Sequence, residues 1–239
     1  MEEFDIPGLA EHLHLTAAQV TRLAERGQIP ARRVNGEWRF HPAEVHQWWE
    51  QRIGLADDQQ LAEMEVVLRG PRGSATPAEF TLAALLRLEA IELQLDARTN
   101  TAVIGAMVDV AARTGLVWDT ARLADAIRSR EELHSTALDE GVALLHPRRP
   151  QPSILGDALI AFGRTPGAIP FGNTRGKLTD LFFMICTLDD RTHLRVLARL
   201  SRLLSDPAFL DQLRWAATVS ELHDALAEAE QRVLESAAE

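Results

Sequence analysis

The spacing of apolar and polar positions divides the chain into two styles. From Ile6 to Ile53 the apolar residues come in short groups: Leu9 with Leu13, Val20 with Leu23, and Val45 with Trp48 and Trp49. Each group fits one face of a short helix. Thr16 is placed to cap the second helix, which should stop before Gly27. Between the second and third groups lies ARRVNGEWRF, whose Asn35-Gly36 pair predicts a two-residue type I′ hairpin. His41-Pro42 then opens a third helix.

From about Thr76 onward, strand-like and helical patterns alternate. Ile91, Leu93 and Leu95 alternate with Glu92, Gln94 and Asp96, which predicts a strand with one buried face. Helical stretches run up to Gly115 and from Asp119 to Arg130. Val142 to Leu145 is an unbroken apolar run of strand length, stopped by Pro147. Strands in DALIAFG and DLFFMICTL precede the helix THLRVLARLSRLLSD, which begins near Asp190 or Thr192. Asp206-Pro207 starts another helix, and Ser220 is positioned to cap the last one. This order predicts an α/β domain, a layered mixed β-sheet flanked by helices, preceded by a small, mainly α domain.

RGPRGSATP, residues 69–77, reads as a linker. The expected organisation is therefore residues 1–53, a connecting helix and linker over 54–76, and a larger domain over 77–239. Leu61, Met64, Val67 and Leu68 share one side of the connecting helix, a pattern compatible with packing on either domain or with a homodimer.

Composition narrows the function classes. The 239 residues are 46% hydrophobic and 25% charged, ordinary values for a globular protein. No apolar run reaches membrane-spanning length and the start MEEFD is unlike a signal peptide, so a cytoplasmic protein without membrane contact is expected. A net charge of −10 argues against a general nucleic-acid coat. The single cysteine, Cys186, sits in LFFMICTL as a small core residue. No metal-ligand cluster, glycine-rich nucleotide loop or Ser-His-Asp set is arguable, so neither a metal nor a cofactor is expected.

The candidate chemistry centres on GVALLHPRRPQP. His146 follows the short strand and precedes Pro147, a rigid mouth that can hold a reactive side chain while the following loop stays open to a partner. The alternative is a histidine that merely ends a strand.

The first fifty residues resemble the small winged helix-turn-helix of excisionases and MerR-like regulators, through the turn between helices, the GQIPARRVNGEWRF wing and the tryptophan pair of the closing helix. The resemblance implies DNA binding, with Gln19, Thr21, Arg22 and Arg26 in the major groove. It assigns Arg32, Arg33, Asn35 and Arg39 to the wing. Residues 1–53 carry six arginines against eight acidic residues, but from Arg22 to Arg39 five arginines face only Glu25 and Glu37. Reuse of the fold as a protein-interaction module is the alternative.

Residues 77–239 look like the type 2 EIIA domain of the phosphoenolpyruvate sugar phosphotransferase system, the fructose, mannitol and nitrogen-regulatory class. The likeness lies in "RE...ST...GVALLHPR" and in HLRVLARLSRLLSDPAFLDQL. It implies that His146 accepts a phosphoryl group from a small HPr-like phosphocarrier protein, with Arg130 and His193 completing the active site. The family usually has Ile-Pro before the phosphorylated histidine; here Leu144-Leu145 precede it and Pro147 follows.

Physical chemistry suits these roles. A neutral imidazole nitrogen is a competent phosphoryl acceptor near neutral pH, and cationic or N–H groups stabilise the equatorial oxygens. Arg130 offers a planar fork, Arg148 and Thr136 are further phosphate-binding candidates, and the first turn of His193's helix offers backbone N–H groups. The resulting expectation is a phosphotransferase-linked regulator coupling a phosphoacceptor to a DNA-binding domain. A plain phosphocarrier with a vestigial amino-terminal domain, and an interaction module lacking both activities, are the alternatives.

Overall fold

The structure, a computed structural model, describes residues 3–13, 15–53, 61, 81–172 and 176–236. Of the connecting segment only Leu61 falls within it, helical and buried. Met64, Val67, Leu68 and the linker 69–77 lie outside the described residues.

Local signals shape the amino-terminal domain. Helices α1 (Ile6–Leu13) and α2 (Ala17–Glu25) meet at Thr16. The Thr16 hydroxyl accepts from Gln19 N at 3.2 Å, and Gln19 Oε1 accepts from Thr16 N at 2.8 Å, a reciprocal capping box. Such a cap stabilises a helix by about 1 kcal/mol. Strands β1 (Arg32–Val34) and β2 (Glu37–Arg39) pair antiparallel across Asn35 and Gly36, whose φ values of 52° and 85° are those a type I′ turn requires. Helix α3 (Pro42–Ile53) closes the domain, burying Val45, Trp49 and Ile53.

The second domain is built on one sheet. Its elements are α4 (Leu82–Leu85), β3 (Leu86–Glu92), α5 (Asn100–Ala112), α6 (Thr120–Leu133), β4 (Val142–Leu145), β5 (Leu159–Pro170), β6 (Leu178–Cys186), α7 (Asp190–Leu204), α8 (Pro207–Trp215) and α9 (Val219–Ser236). The strand order is β3-β5-β6-β4, with β5 and β6 antiparallel and the outer pairs parallel. Alternation along β4 sends Val142 and Leu144 into the core with α7, and Ala143 and Leu145 into the core with α5 and α6. A strand buried on both faces reads as an unbroken apolar run, as VALL does.

Helices α4, α7 and α9 cover one face of the sheet and α5 the other, with α6 packed on α5. Helix α3 of the first domain packs against α7, and the core on that side is continuous from Leu9 to Ala229. Three helices are locked together by a buried ion pair. Arg199 Nη1 on α7 donates to Glu230 Oε1 on α9 at 2.8 Å, with the side chains 1% and 2% exposed. The Glu230 carboxylate also accepts from Leu82 N at 2.8 Å and Ala83 N at 3.2 Å, at the start of α4.

Several expectations need correction. The strand expected around Ile91 to Leu95 begins at Leu86 and ends at Glu92. Its pairing with β5 is irregular between Leu86 and Ile91, and the chain turns at Leu93-Gln94. Leu95 is buried beyond the strand, held by its N–H on Arg164 O at 2.8 Å. Ser220 does not cap the last helix: Thr218 Oγ1 takes the Glu221 N–H at 3.2 Å, and Ser220 lies within the first turn. Helix α7 is capped by Asp189, not by Asp190 or Thr192.

Candidate functional site

His146 continues the alternation of β4 by one residue and so falls on the α7 side of the sheet, after Val142 and Leu144. There it meets His193, in the first turn of α7. The ring centroids are 5.0 Å apart, with the planes inclined at 57°. The two histidines are 3% and 1% exposed, so His146 stands at the strand end but not at an open mouth, with the His193 ring packed against it.

A hydrogen bond determines the chemical form of His146. Its Nδ1 lies 2.7 Å from Leu144 O. A peptide carbonyl only accepts, so Nδ1 carries the hydrogen. In the neutral ring the lone pair is then on Nε2, the atom able to act as nucleophile.

The first turn of α7 is less open to an anion than the sequence suggests. Asp189 takes the Thr192 N–H at 2.8 Å and the Thr192 hydroxyl at 2.7 Å, and Asp189 O takes the His193 N–H at 3.1 Å. The cap thus occupies N–H groups that a phosphate would otherwise use.

Thr136 lies beside β4, its carbonyl accepting from Leu144 N at 3.2 Å. Its hydroxyl donates to Glu131, and its N–H reaches both carboxylate oxygens, at 3.1 and 3.3 Å. The hydroxyl is therefore committed within the protein. Glu131, in the last turn of α6, is a site residue that sequence reasoning missed, although it directly follows Arg130. An acidic residue near a helix C-terminus is electrostatically unfavourable, and that is the signal that marks it. Burial pushes its carboxyl above the usual value, opposed by the Thr136 hydrogen bonds and by the charges of Arg130 and His146.

Arg130, one residue earlier, is half-buried and donates from Nη1 to His134 O at 2.8 Å, where α6 ends. Arg148 is exposed, two residues beyond His146, and His134 is exposed at the helix end. The structure thus brings His146, His193, Thr136 and Glu131 into one cluster and places Arg148 at the surface.

In the first domain Arg22 and Arg26 are exposed on and just after α2. Gln19 Oε1 is engaged in the capping box, and Thr21 Oγ1 donates to Ala17 O at 2.9 Å. On the wing Arg32 pairs with Glu3 at 2.5 Å, Arg39 pairs with Glu37 at 2.7 Å, and the Arg33 guanidinium lies 4.6 Å from the Trp38 ring centroid. Asn35 serves the turn. The local positive charge is thereby reduced on the wing and retained at Arg22 and Arg26.

Among the described residues no group of three or more His, Cys, Asp and Glu side chains is arranged to hold a metal, and no helix is long and apolar enough to cross a membrane.

Comparison with known proteins follows this division. Residues 4–53 match the helix-turn-helix domain model. Residues 84–229 match the model described as "Phosphoenolpyruvate-dependent sugar phosphotransferase system, EIIA 2". The chain is 33% identical over 134 residues to the fructose-specific EIIABC component of the system in Bacillus subtilis, covering 55% of this chain and 21% of that protein. It therefore spans about a fifth of that relative. It is 28% identical over 149 residues to the fructose-specific EIIA component of Haloferax volcanii, covering 62% of this chain and 95% of that one. The crystal structure of the nitrogen regulatory protein IIA-Ntr from Neisseria meningitidis superposes with a TM-score of 0.55 at 25% identity, over 60% of this chain and 97% of that one. With the family model spanning more than half of its length, the chain belongs to the EIIA 2 family of the phosphoenolpyruvate-dependent sugar phosphotransferase system, and carries a helix-turn-helix domain ahead of it.

Proposed function

We propose that this protein is a cytoplasmic regulator that accepts a phosphoryl group on Nε2 of His146 and couples that event to DNA binding by its amino-terminal domain. The observation that carries the reading is the placement of His146 against His193 at the start of α7, the helix whose flank also packs on α3.

In the transfer, the N–P bond of a phosphohistidine on an HPr-like carrier breaks as the Nε2 lone pair of His146 bonds to phosphorus. The donor nitrogen keeps the electron pair of the broken bond. Nδ1–H stays on Leu144 O throughout, so the ring needs no base to become nucleophilic. His193 and Arg130 stabilise charge on the phosphoryl oxygens. Because His146 is 3% exposed, donor docking must open local access to Nε2. Arg22 and Arg26 supply the leading DNA contacts of α2, with Arg33 on the wing.

Incubation with the phosphorylated carrier tests the first half: acid-labile phosphate should appear on the wild type and vanish in His146→Ala. No label on wild-type protein with an active donor would sink the phosphoacceptor reading. Selection from random DNA tests the second half, with Arg22→Ala and Arg33→Ala expected to weaken binding. If no sequence is enriched at low salt, the domain is a protein-interaction module.

A further inference from the structure

The hydrogen bond that sets the tautomer of His146 does not stand alone. Leu144, whose carbonyl receives Nδ1, donates its own N–H to Thr136 O at 3.2 Å. Thr136 in turn gives both its N–H and its hydroxyl to the Glu131 carboxylate. Next to it, Leu138 N donates to Val142 O at 2.7 Å and Ala137 bridges Ala143, so residues 136–138 form a short rail along the free edge of β4. On the other edge β4 is fixed by β6 through four consecutive register pairs, from Val142↔Leu181 to Leu145↔Met184. The rail continues the sheet on the α6 side, and its end nearest His146 is tied back to the last turn of α6 by the Glu131 carboxylate.

We propose that Glu131 is a positioning residue for His146, acting through Thr136 and the main chain of Leu144 to hold Nδ1–H on Leu144 O and so to keep Nε2 the reactive nitrogen. The inference deepens the phosphoacceptor reading and rests on it for its functional meaning, though not for its structural content. Three observations carry it. The carboxylate holds the Thr136 N–H through both oxygens, which pins the residue whose carbonyl meets Leu144 N. Thr136 is 8% exposed and Leu144 5%, so the relay is shielded from competing water. The geometry also explains an acidic residue at a helix end that disfavours it: the electrostatic cost is offset by the donors it gathers. A group that orients the partner of a reactive imidazole commonly determines which ring nitrogen is available.

The test reads the tautomer directly. Long-range proton–nitrogen NMR of the imidazoles, on the full chain near neutral pH, should give the Nδ1–H signature for His146 in the wild type. Glu131→Ala should convert it to a mixture of tautomers, and slow phosphoryl transfer from the carrier by about tenfold. Glu131→Gln keeps an acceptor for the Thr136 N–H and should restore the wild-type signature. Thr136→Val removes the hydroxyl donor alone at nearly constant shape and should give a smaller change in the same direction, a measurement that stands if Glu131→Ala does not fold. A wild-type signature in Thr136→Val together with one in Glu131→Ala, or with failure of Glu131→Gln to match the wild type, overturns the proposal. If the wild type takes no phosphate but its tautomer still follows Glu131, positioning stands and the phosphoacceptor reading falls.

Discussion

Gly141→Ala offers a test of how β4 is anchored, five residues before His146. Gly141 has φ of +83°, in the left-handed region, and its carbonyl accepts from Asp180 N at 3.0 Å and Leu181 N at 3.2 Å. A methyl group there would lie 2.9 Å from Arg214 Nη2 and 3.0 Å from Asp180 Oδ1. Those two atoms belong to a fork: Arg214 Nε meets Asp180 Oδ2 at 2.9 Å, and Nη2 meets Oδ1 at 3.0 Å and Glu140 O at 2.7 Å. The side chains are 28% and 22% exposed, which limits the worth of the pair through solvent screening.

Two costs add in this substitution. The backbone conformation costs an alanine roughly 1 to 2 kcal/mol. Displacing the fork adds roughly 1 to 2 kcal/mol, in the range of small overpacking changes and lost charged hydrogen bonds. Gly115→Ala separates them, because Gly115 has φ of +72° with nothing within 4 Å of the added carbon. Urea denaturation followed by circular dichroism should show Gly141→Ala at least about 1 kcal/mol more destabilised than Gly115→Ala. Truncating Arg214 should erase most of that excess in a double-mutant cycle. Equal losses in the two alanine variants would refute the fork as the reason for glycine at Gly141.

Other perturbations have defined outcomes. Glu230→Ala leaves Arg199 buried without its carboxylate and Leu82 N and Ala83 N without their acceptor, and should cost about 3 to 5 kcal/mol in denaturation. Burial pushes the Cys186 thiol up to about 12, so the folded protein should resist a thiol reagent at neutral pH and react once unfolded. Burial holds the Glu131 carboxyl above its ordinary 4.5, so the native state retains a proton there after the unfolded chain has released it. That contribution is complete below about 4.5 and is lost as pH rises through the raised value. Glu131→Gln, which cannot ionise, should therefore gain stability relative to wild type across that interval, as urea midpoints will show; a pH-independent difference would contradict the assignment.

Elements governed by neighbours in sequence were the legible ones. Thr16 with Gln19, Asn35 with Gly36, and Asp206 with Pro207 each act over a few residues, and each forms as the local chemistry requires. VALL was legible because a strand buried on both faces leaves no room for polar residues. Leu93 misled, since its alternation with Glu92 and Gln94 continues past the point where β3 loses its partner and the chain turns. The approach of His193 to His146 was reachable only through family resemblance, because the two lie 47 positions apart in the chain and neither residue's neighbours specify the other. The wing arginines were visible as charge, and the stacking of Arg33 on Trp38 follows from the hairpin register that Asn35-Gly36 sets, but the pairing of Arg32 with Glu3 depends on tertiary placement.

Helix α7 gives the proposed coupling a physical route. Its first turn holds His193 against His146, its middle is fixed to α9 and α4 by Arg199 and Glu230, and its flank meets α3. A phosphoryl group on Nε2 would bring about two negative charges beside a turn already carrying Asp189 and Asp190. The new charge acts on the end of α7 that holds His193 against His146, while the Arg199–Glu230 pair resists movement farther along. Under the proposed coupling, the shift to look for at α3 is a small tilt or rotation of α7 about that fixed point, of the kind that packed interfaces convert into discrete rearrangements. A tenfold change in DNA affinity requires only about 1.4 kcal/mol of difference between the two phosphorylation states, comparable to one well-made hydrogen bond at the α3–α7 contact. The buried ion pair therefore serves the proposed regulator as a pivot: weakening it should uncouple phosphorylation from DNA binding before it abolishes either.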